Sequence, residues 1–387
     1  MKKRISILGS TGSIGMQTLD VARNLNINVI GLSANKNIDL LEKQIREFKP
    51  KAVSVSSSEN KENLKSRIED LKTEVYFGQE GLVKIATLEE NEMVINSIVG
   101  IAGLIPTIEA IRSKKDIALA NKESLVAAGN LIMAEARKHN VDIIPIDSEH
   151  SAIYQCIAGN IKTDIAKIIL TASGGPFRGL KYRDLVNVTP EEALLHPNWK
   201  MGDKISIDCA TLMNKGFEVI EARWLFDVSE DNIMILIHPQ SIVHSMVEYD
   251  DGSIIAQLGP PDMRIPIQYA LTCPERKTNN FSRLDLFKDR KLTFENLDNN
   301  AFPFPSLAYR ALKVSGTMPA VMNGADEMAV QLFLSKKIAF TNIFDLIKQV
   351  MDSHKVMDNP SINDIIEADQ WAKNEVYKIC NKRELFE

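Results

Sequence analysis

Ile5–Gly15, ISILGSTGSIG, is the stretch that decides the fold. Ile5–Leu8 reads as a buried strand and runs straight into a turn of small residues, Gly9-Ser10-Thr11-Gly12-Ser13-Ile14-Gly15. The apolar spacing at 16–24 predicts an amphipathic helix. Strand, glycine-rich turn and helix in that order is the context that a dinucleotide fingerprint requires. Small residues let the backbone approach a pyrophosphate, whose charge the helix N-terminus favours. A second strand is expected at 28–33 and should end near the adenine ribose. An enzyme using NAD presents an acid there to hold the 2′-hydroxyl. This chain presents Ala34-Asn35-Lys36-Asn37, a cation and two amides. A 2′-phosphate is the better guest, which predicts NADP(H) over NAD(H).

Working outward, further strands are expected at 52–55, 75–77, 93–98, 116–120 and 141–147, with helices at 59–71, 81–87 and 125–139. Alternation of this kind makes an α/β domain with a parallel, Rossmann-like sheet. The strand at 116–120 stops at Asn121-Lys122-Glu123-Ser124, which puts Lys122 at a strand's C-terminal edge, facing the crevice. The last strand leads into Asp147-Ser148-Glu149-His150. Alternate residues of an extended chain share a face, so Asp147 and Glu149 can aim at one point past the strand end. Two converging carboxylates repel unless a cation or a proton sits between them. Oxygen ligands suit Mg²⁺ or Mn²⁺.

The middle of the chain carries polar clusters of its own. Ser173-Gly174-Gly175 follows the apolar run 165–171 and reads as an anion nest or a tight turn. His196-Pro197-Asn198-Trp199-Lys200-Met201-Gly202 suits a loop that closes over a polar substrate. Asn214 and Glu218 are i,i+4 on an expected helix, and Lys215 is three residues before Glu218, so all three share one patch. Asp250-Asp251-Gly252 between 241–249 and 253–258 is a hairpin signal and argues for antiparallel pairing in this part. His238 and His244 lack a nearby third soft ligand for zinc.

Composition narrows the function. The 387 residues are 44% hydrophobic and 25% charged, with net charge −5. This balance belongs to a globular protein and argues against a nucleic-acid or anionic-membrane partner. The four cysteines are far apart, with no CxxC pair, and suit free thiols in a reducing compartment. No apolar run approaches membrane-spanning length. A cytoplasmic location is expected. The segment 274–305 reads as a connecting arm, and 306–387 has helical periods at about 306–314, 320–335, 341–354 and 361–382.

GSTGSIG, LANKESLV, IDSEHSA, TASGGPF, HPNWKMG, ATLMNKGFEVIEA, HPQSIVHS and LGPPDMR together, in that order, resemble the 1-deoxy-D-xylulose 5-phosphate reductoisomerase family. The resemblance spans nearly the whole chain. It implies NADPH, one divalent cation (Mg²⁺ or Mn²⁺), a sugar phosphate substrate and a homodimer. The reaction implied gives 2-C-methyl-D-erythritol 4-phosphate in the non-mevalonate route to isoprenoids. A retro-aldol/aldol rearrangement followed by hydride reduction is favoured over a direct α-ketol shift.

Carried over position by position, the resemblance implies Asp147, Glu149 and Glu218 as metal ligands. Lys122, Ser148, Ser173, His196, Asn214 and Lys215 would contact substrate, with Glu149 and Glu218 also at it. Lys122 and His196 join the three acids as catalytic residues. Thr11, Gly12, Ser13, Ile14, Asn35, Lys36, Asn37, Asn121, Glu123, Gly202 and Met263 would meet the cofactor. Trp199 would be the lid tryptophan and His244 would border the site. Cys209 stands where the family usually has a phosphate-binding serine, and a thiol is a weaker donor than a hydroxyl. Asn35 stands where glycine is frequent.

The expected organisation is a cofactor domain over 1–147, an α+β catalytic domain over 148–273 with the lid at 196–202, the arm over 274–305 and a helical domain over 306–387. Two rivals remain at this point. One is a metal-free NADP-dependent dehydrogenase of the semialdehyde type, which needs a nucleophilic cysteine. The other is a non-catalytic NADP(H) sensor.

Overall fold

A computed structural model describes residues 3–160, 164–199, 201–289 and 291–384. Lys200, in the expected lid, and Arg290, in the expected arm, lie outside the described residues, as do 385–387 of the expected helical domain. The chain divides into two compact units. The first comprises Met1–Ser124, Asn130–Ser151 and Asp262–Ser282. The second comprises Leu125–Gly129, Ala152–Pro261 and Arg283–Glu387.

Seven strands build the first unit's sheet: β1 (Arg4–Leu8), β2 (Asn28–Ser33), β3 (Ala52–Val55), β4 (Glu74–Phe77), β5 (Met93–Asn96), β6 (Asp116–Leu119) and β7 (Ile143–Pro145). Between them run α1 (Ser13–Leu25), α2 (Ile38–Phe48), α3 (Ser58–Arg67), α4 (Gly78–Ala86), α5 (Leu104–Arg112) and α6 (Lys122–His139). The order is β4-β3-β2-β1-β5-β6-β7, with every pairing parallel. Strand order therefore reverses between β1 and β5, and open α/β sheets take ligands at such a switch point. Ile5, Ile7, Leu8, Val94 and Ile95 are wholly buried there. Sheets covered on both faces need such continuous apolar runs.

α7 (Ser148–Ile157) follows β7. The second unit's sheet holds β8 (Ile165–Ala172), β9 (Ile233–Ile237), β10 (Val243–Tyr249), β11 (Ile254–Leu258) and β12 (Glu295–Asn296). Its order is β11-β10-β8-β9-β12. The expected hairpin is β10–β11, with Gly252 at φ 82° in its turn. The sheet is mixed rather than purely antiparallel, because β8 and β9 pair in parallel. The crossover joining them contains α8 (Pro190–Ala193), α9 (Asp203–Thr211) and α10 (Met213–Phe226). Phe226, Ile168, Leu170 and Val247 share the core beneath this sheet. The expected arm is mostly irregular, yet its two residues Glu295–Asn296 pair with β9.

α11 (Arg264–Thr272) falls inside the segment expected to belong with the catalytic domain, but it packs on α1, β6 and β7 of the first unit. An ion pair from Arg264 to Asp20 on α1 (3.1 Å) fixes its N-terminus, while the guanidinium lies 4.3 Å over the Phe281 ring. The C-terminal helices are α12 (Phe304–Val314), α13 (Met318–Leu334), α14 (Asn342–Ser353) and α15 (Ile362–Glu384). Phe340 is wholly buried and takes edge contacts from Phe333 at 5.5 Å and Phe177 at 5.3 Å. This bundle and the mixed sheet fall in the same compact unit. Among the described residues no helix is long and apolar enough to cross a membrane.

His354 gives this bundle a pH dependence. Its Nε2 lies 2.7 Å from Thr317 Oγ1, and its ring packs against Trp371. Burial lowers its pKa below the ordinary 6.5, so the folded state favours the neutral ring. A depressed folded pKa stabilises the fold above pH 6.5, and that contribution is lost as pH falls through the folded value. Thermal midpoints measured between about pH 5 and 8 should therefore fall less on acidification in His354→Gln than in the parent chain. Parallel curves for the two proteins would contradict this role.

Candidate active site

At the switch point of the first unit, Gly9 adopts φ 85°, and a Cβ there would stand 2.9 Å from Ser97 O. At Gly15 a Cβ would meet Gly9 O at 2.3 Å, so only glycine lets α1 start this close to the β1 turn. Gly12 is the N-cap of α1, which has no side-chain cap and no acid in its first turn. Gly12 and Ser13 are exposed, and Thr11 and Ile14 half-buried. The turn is held by Ser10, whose hydroxyl donates to Gln44 Oε1 (2.7 Å), and by Gly9 N donating to Ser33 Oγ (2.9 Å).

Asn35, Lys36 and Asn37 lie exposed at the end of β2. Asn37 Oδ1 accepts from Leu40 N (3.1 Å) and caps α2, so part of its hydrogen-bonding capacity is structural. Asn121 is likewise occupied. Its amide donates to Ile98 O (2.8 Å), Gly100 O (2.9 Å) and Glu123 Oε2 (3.0 Å), clamping the loop after β5. Asn96, which the sequence did not mark, completes the clamp through Gly103 O and Thr107 Oγ1. Met263, at the N-cap of α11, belongs to this unit.

Lys122, expected to precede its helix, opens α6, and Ser148, expected in extended chain, opens α7. The chain turns helical immediately after Asp147, whose carbonyl accepts from Ser151 N (2.8 Å). Glu149 is thus a first-turn helical residue, and strand alternation does not explain its approach to Asp147. The two residues nevertheless bring carboxylate oxygens within 4.8 Å of each other. A helix N-terminus reduces the cost of negative charge in its first turn. Lys122 Nζ stands 2.5 Å from Asp147 Oδ2 and is only 9% exposed as a residue. Ser148 Oγ donates to Glu149. The wholly buried His150, which the sequence left without a role, reaches Asp147 Oδ2 from Nδ1 at 3.8 Å. Its position three residues after Asp147 was the available signal.

In the second unit, Leu212 at φ 65° separates α9 from α10 and restarts the helix at Met213. Glu218 is wholly buried on α10. Asn214 Nδ2 donates to its Oε1, and Lys215 Nζ lies 2.6 Å from its Oε2. The patch expected from the 214, 215, 218 spacing is therefore built. Glu221, one turn on and 4% exposed, adds a second buried acid that the sequence did not mark.

Ser173 and His196 meet in the same unit. His196 Nδ1 accepts from Asn198 N (3.2 Å) and Trp199 N (3.0 Å), which leaves the ring proton on Nε2. Nε2 lies 3.1 Å from Ser173 Oγ, and Gly175 N donates to the same oxygen at 3.2 Å. Both acceptor positions of the hydroxyl are filled, so its own proton is available to an anion. Gly174 and Gly175 have φ 87° and 69°. A Cβ on Gly175 would stand 2.6 Å from Cys209 O, placing the Cys209 backbone beside the nest. A cavity of about 850 Å³ opens here, lined by Ser173, Phe177, Arg178, Leu195 and Pro197 among others. Asn198 is tied to Pro239 O and Ser241 Oγ, and the Trp199 ring centre lies 6.3 Å from that of His244. Gly202 is the N-cap of α9. His238 spends both ring nitrogens on Thr293 O and Ile242 N, and neither it nor His244 joins a candidate metal cluster among the described residues.

Family models described as 1-deoxy-D-xylulose 5-phosphate reductoisomerase match residues 5–129, and models of its C-terminal domains match 143–226 and 258–375. A reductoisomerase of Acetivibrio thermocellus is 62% identical over 379 residues, covering 98% of this chain and 100% of the relative. This chain belongs to the 1-deoxy-D-xylulose 5-phosphate reductoisomerase family. The reductoisomerase of Ruminiclostridium cellulolyticum is 58% identical, covering 96% and 98%. The reductoisomerase of Zymomonas mobilis, solved in complex with NADPH, superposes with a TM-score of 0.93 at 41% identity, covering 98% and 99%. Another solved reductoisomerase, in complex with NADPH, fosmidomycin and magnesium, also gives 0.93, at 40% identity and 99% coverage of each chain.

Removing the Ser173 hydroxyl takes away one donor to an anion. A hydrogen bond to a charged group is worth about 1.5–3 kcal/mol, or roughly 10–100-fold in affinity. Ser173→Ala should weaken binding of a phosphate-bearing ligand by that factor in calorimetry, with NADPH affinity unchanged. Equal phosphate affinity in the two proteins would remove Ser173 from the anion site.

Proposed function

We propose a division of labour among these residues for the reaction that the family fixes. That reaction is the NADPH- and divalent-metal-dependent conversion of 1-deoxy-D-xylulose 5-phosphate to 2-C-methyl-D-erythritol 4-phosphate, in the non-mevalonate route to isoprenoids. Asp147 and Glu149 from the first unit and Glu218 from the second would hold one Mg²⁺ or Mn²⁺, ions that prefer oxygen ligands.

The observation carrying this reading is that a lysine balances the acids in each unit: Lys122 at Asp147, and Lys215 at Glu218. Buried carboxylates need a cationic partner, and both lysines are ones that substrate would also claim. A divalent ion bound by these acids supplies electrostatic stabilisation of charge developing on the substrate's hydroxyketone oxygens. Lys122 would then turn to the sugar beside Ser148, and Lys215 to the phosphate. Ser173, His196 and Asn214 would complete the phosphate grip, with Cys209 contributing through its backbone. Anchoring the phosphate away from the reacting carbons converts binding energy into orientation. The retro-aldol/aldol order suits such a site, since Lys122 and an ion held by the three acids would face both oxygens of the substrate through bond cleavage and rejoining.

NADPH supplies the hydride. Thr11, Gly12, Ser13 and Ile14 would cradle its pyrophosphate, and Asn35, Lys36 and Asn37 its 2′-phosphate. Asn121, Glu123, Gly202 and Met263 would border the remainder. Trp199, resting on His244, would exclude water from the reacting atoms. We place the enzyme in the cytoplasm as a homodimer. Its four cysteines form no disulfide, and the edge strand β11 exposes Ile254, Ile255 and Leu258, which a second copy would cover. The semialdehyde-type reading loses its nucleophile at Cys156, whose thiol burial pushes up to about 11.

Asp147→Asn should lower metal-dependent turnover by at least about 100-fold. NADPH affinity, measured by fluorescence titration, should stay within about twofold because the residue does not touch the cofactor cradle. Near-normal rates would remove Asp147 from the ligand set.

A further inference from the structure

Lys204 is an odd residue for its place. It sits in the first turn of α9, where the helix dipole disfavours a cation. The second unit compensates with two buried carboxylates. Asp208, one turn along α9, takes a hydrogen bond from Nζ, and Asp326 on α13 stands 2.7 Å away. Asp208 is 2% exposed and Asp326 wholly buried. The ammonium also lies 4.5 Å from the centre of the Phe217 ring on α10. One side chain thus ties together α9, α10 and α13.

The charge balance argues against a role in stability alone. Asp326 takes the ammonium on Oδ2 only, and its Oδ1 is buried without a hydrogen-bond partner among the described residues. A well-packed apolar trio would hold three helices at least as firmly. What the cluster offers instead is a fixed position for α9. That helix starts at Gly202, where the 196–202 loop ends, and its Cys209 carbonyl backs the Ser173-Gly174-Gly175 turn. At its far end Leu212 hands over to Asn214, Lys215 and Glu218.

We infer that Asp326, through Lys204, is a positioning residue for the phosphate-binding wall, so that the C-terminal helices set the affinity for the phosphorylated substrate. This rests on the function proposed above. Loss of the Asp326 carboxylate leaves α9 free to shift against the Ser173 turn while the cofactor cradle of the first unit is untouched.

The test compares Asp326→Asn, which keeps the shape and one acceptor oxygen, with the double variant Lys204→Met/Asp326→Leu, which removes both charges together. Steady-state kinetics with 1-deoxy-D-xylulose 5-phosphate should show KM for the sugar phosphate raised about tenfold or more in Asp326→Asn, with KM for NADPH within about twofold. The double variant should melt no lower than Asp326→Asn and still show the raised substrate KM. The inference is overturned if the substrate KM of Asp326→Asn is unchanged. It is equally overturned if both KM values and the melting point degrade together, as general loosening would produce. Absence of turnover in the parent chain would instead refute the proposed function. In that case calorimetry with inorganic phosphate decides the inference: weaker binding to Asp326→Asn supports it, and equal binding overturns it.

Discussion

A carboxylate that loses its water must find a positive partner, and Glu218 has lost all of its water. Its two oxygens are claimed by Asn214 and Lys215, neighbours on the same helix. The residue spacing places an amide and an ammonium over the acid, and Leu212 in the left-handed region starts the helix where these three can meet. The arrangement is stable as it stands, yet it holds a lysine on an acid that the proposed chemistry needs for an ion. Lys122 and Asp147 repeat the arrangement at the end of the first unit's sheet. Under the proposed function, an ion taken up by these acids would turn both lysines towards the substrate.

The scaffolds differ in how they fix these groups. In the first unit a parallel sheet with a mostly apolar interior ends in polar turns, and the side chains at those turns are set by clamps such as Asn96 and Asn121. In the second, the fixing is helical. The Ser173 turn leans on α9, α9 leans on α13 through Lys204, and His196 is oriented by the N–H groups of its own loop. The loop bearing Trp199 is further tied down by Asn198, which donates to Pro239 O and Ser241 Oγ.

Much of this was legible in the sequence where a local rule governs. The strands Asn28–Ser33 and Ala52–Val55 are apolar runs bounded by turn residues, and they stand as read. The 214–218 patch depends only on helical periodicity. Helix starts were read too late at Ser13 and Lys122, and the helix opening at Ser148 was not read at all, because first-turn residues face ligands or solvent and carry no apolar period. The same cause misplaced the geometry of Glu149. The parallel pairing of β8 with β9 was not legible, since it follows from a 60-residue crossover rather than from either strand. Nor was the return of α11 to the first unit, which hangs on the contact of Arg264 with Asp20, far apart in sequence. Buried pairings such as Lys204 with Asp326 lie equally beyond any local pattern.

The central claim is that three acids from the two units share a single divalent ion. Titration of Mn²⁺ into the protein, with free ion followed by electron paramagnetic resonance, tests it without any turnover. The account predicts one tightly bound ion per chain and a loss of affinity of at least about 100-fold in Glu218→Gln. The same Mn²⁺ stoichiometry and affinity in that variant would contradict it.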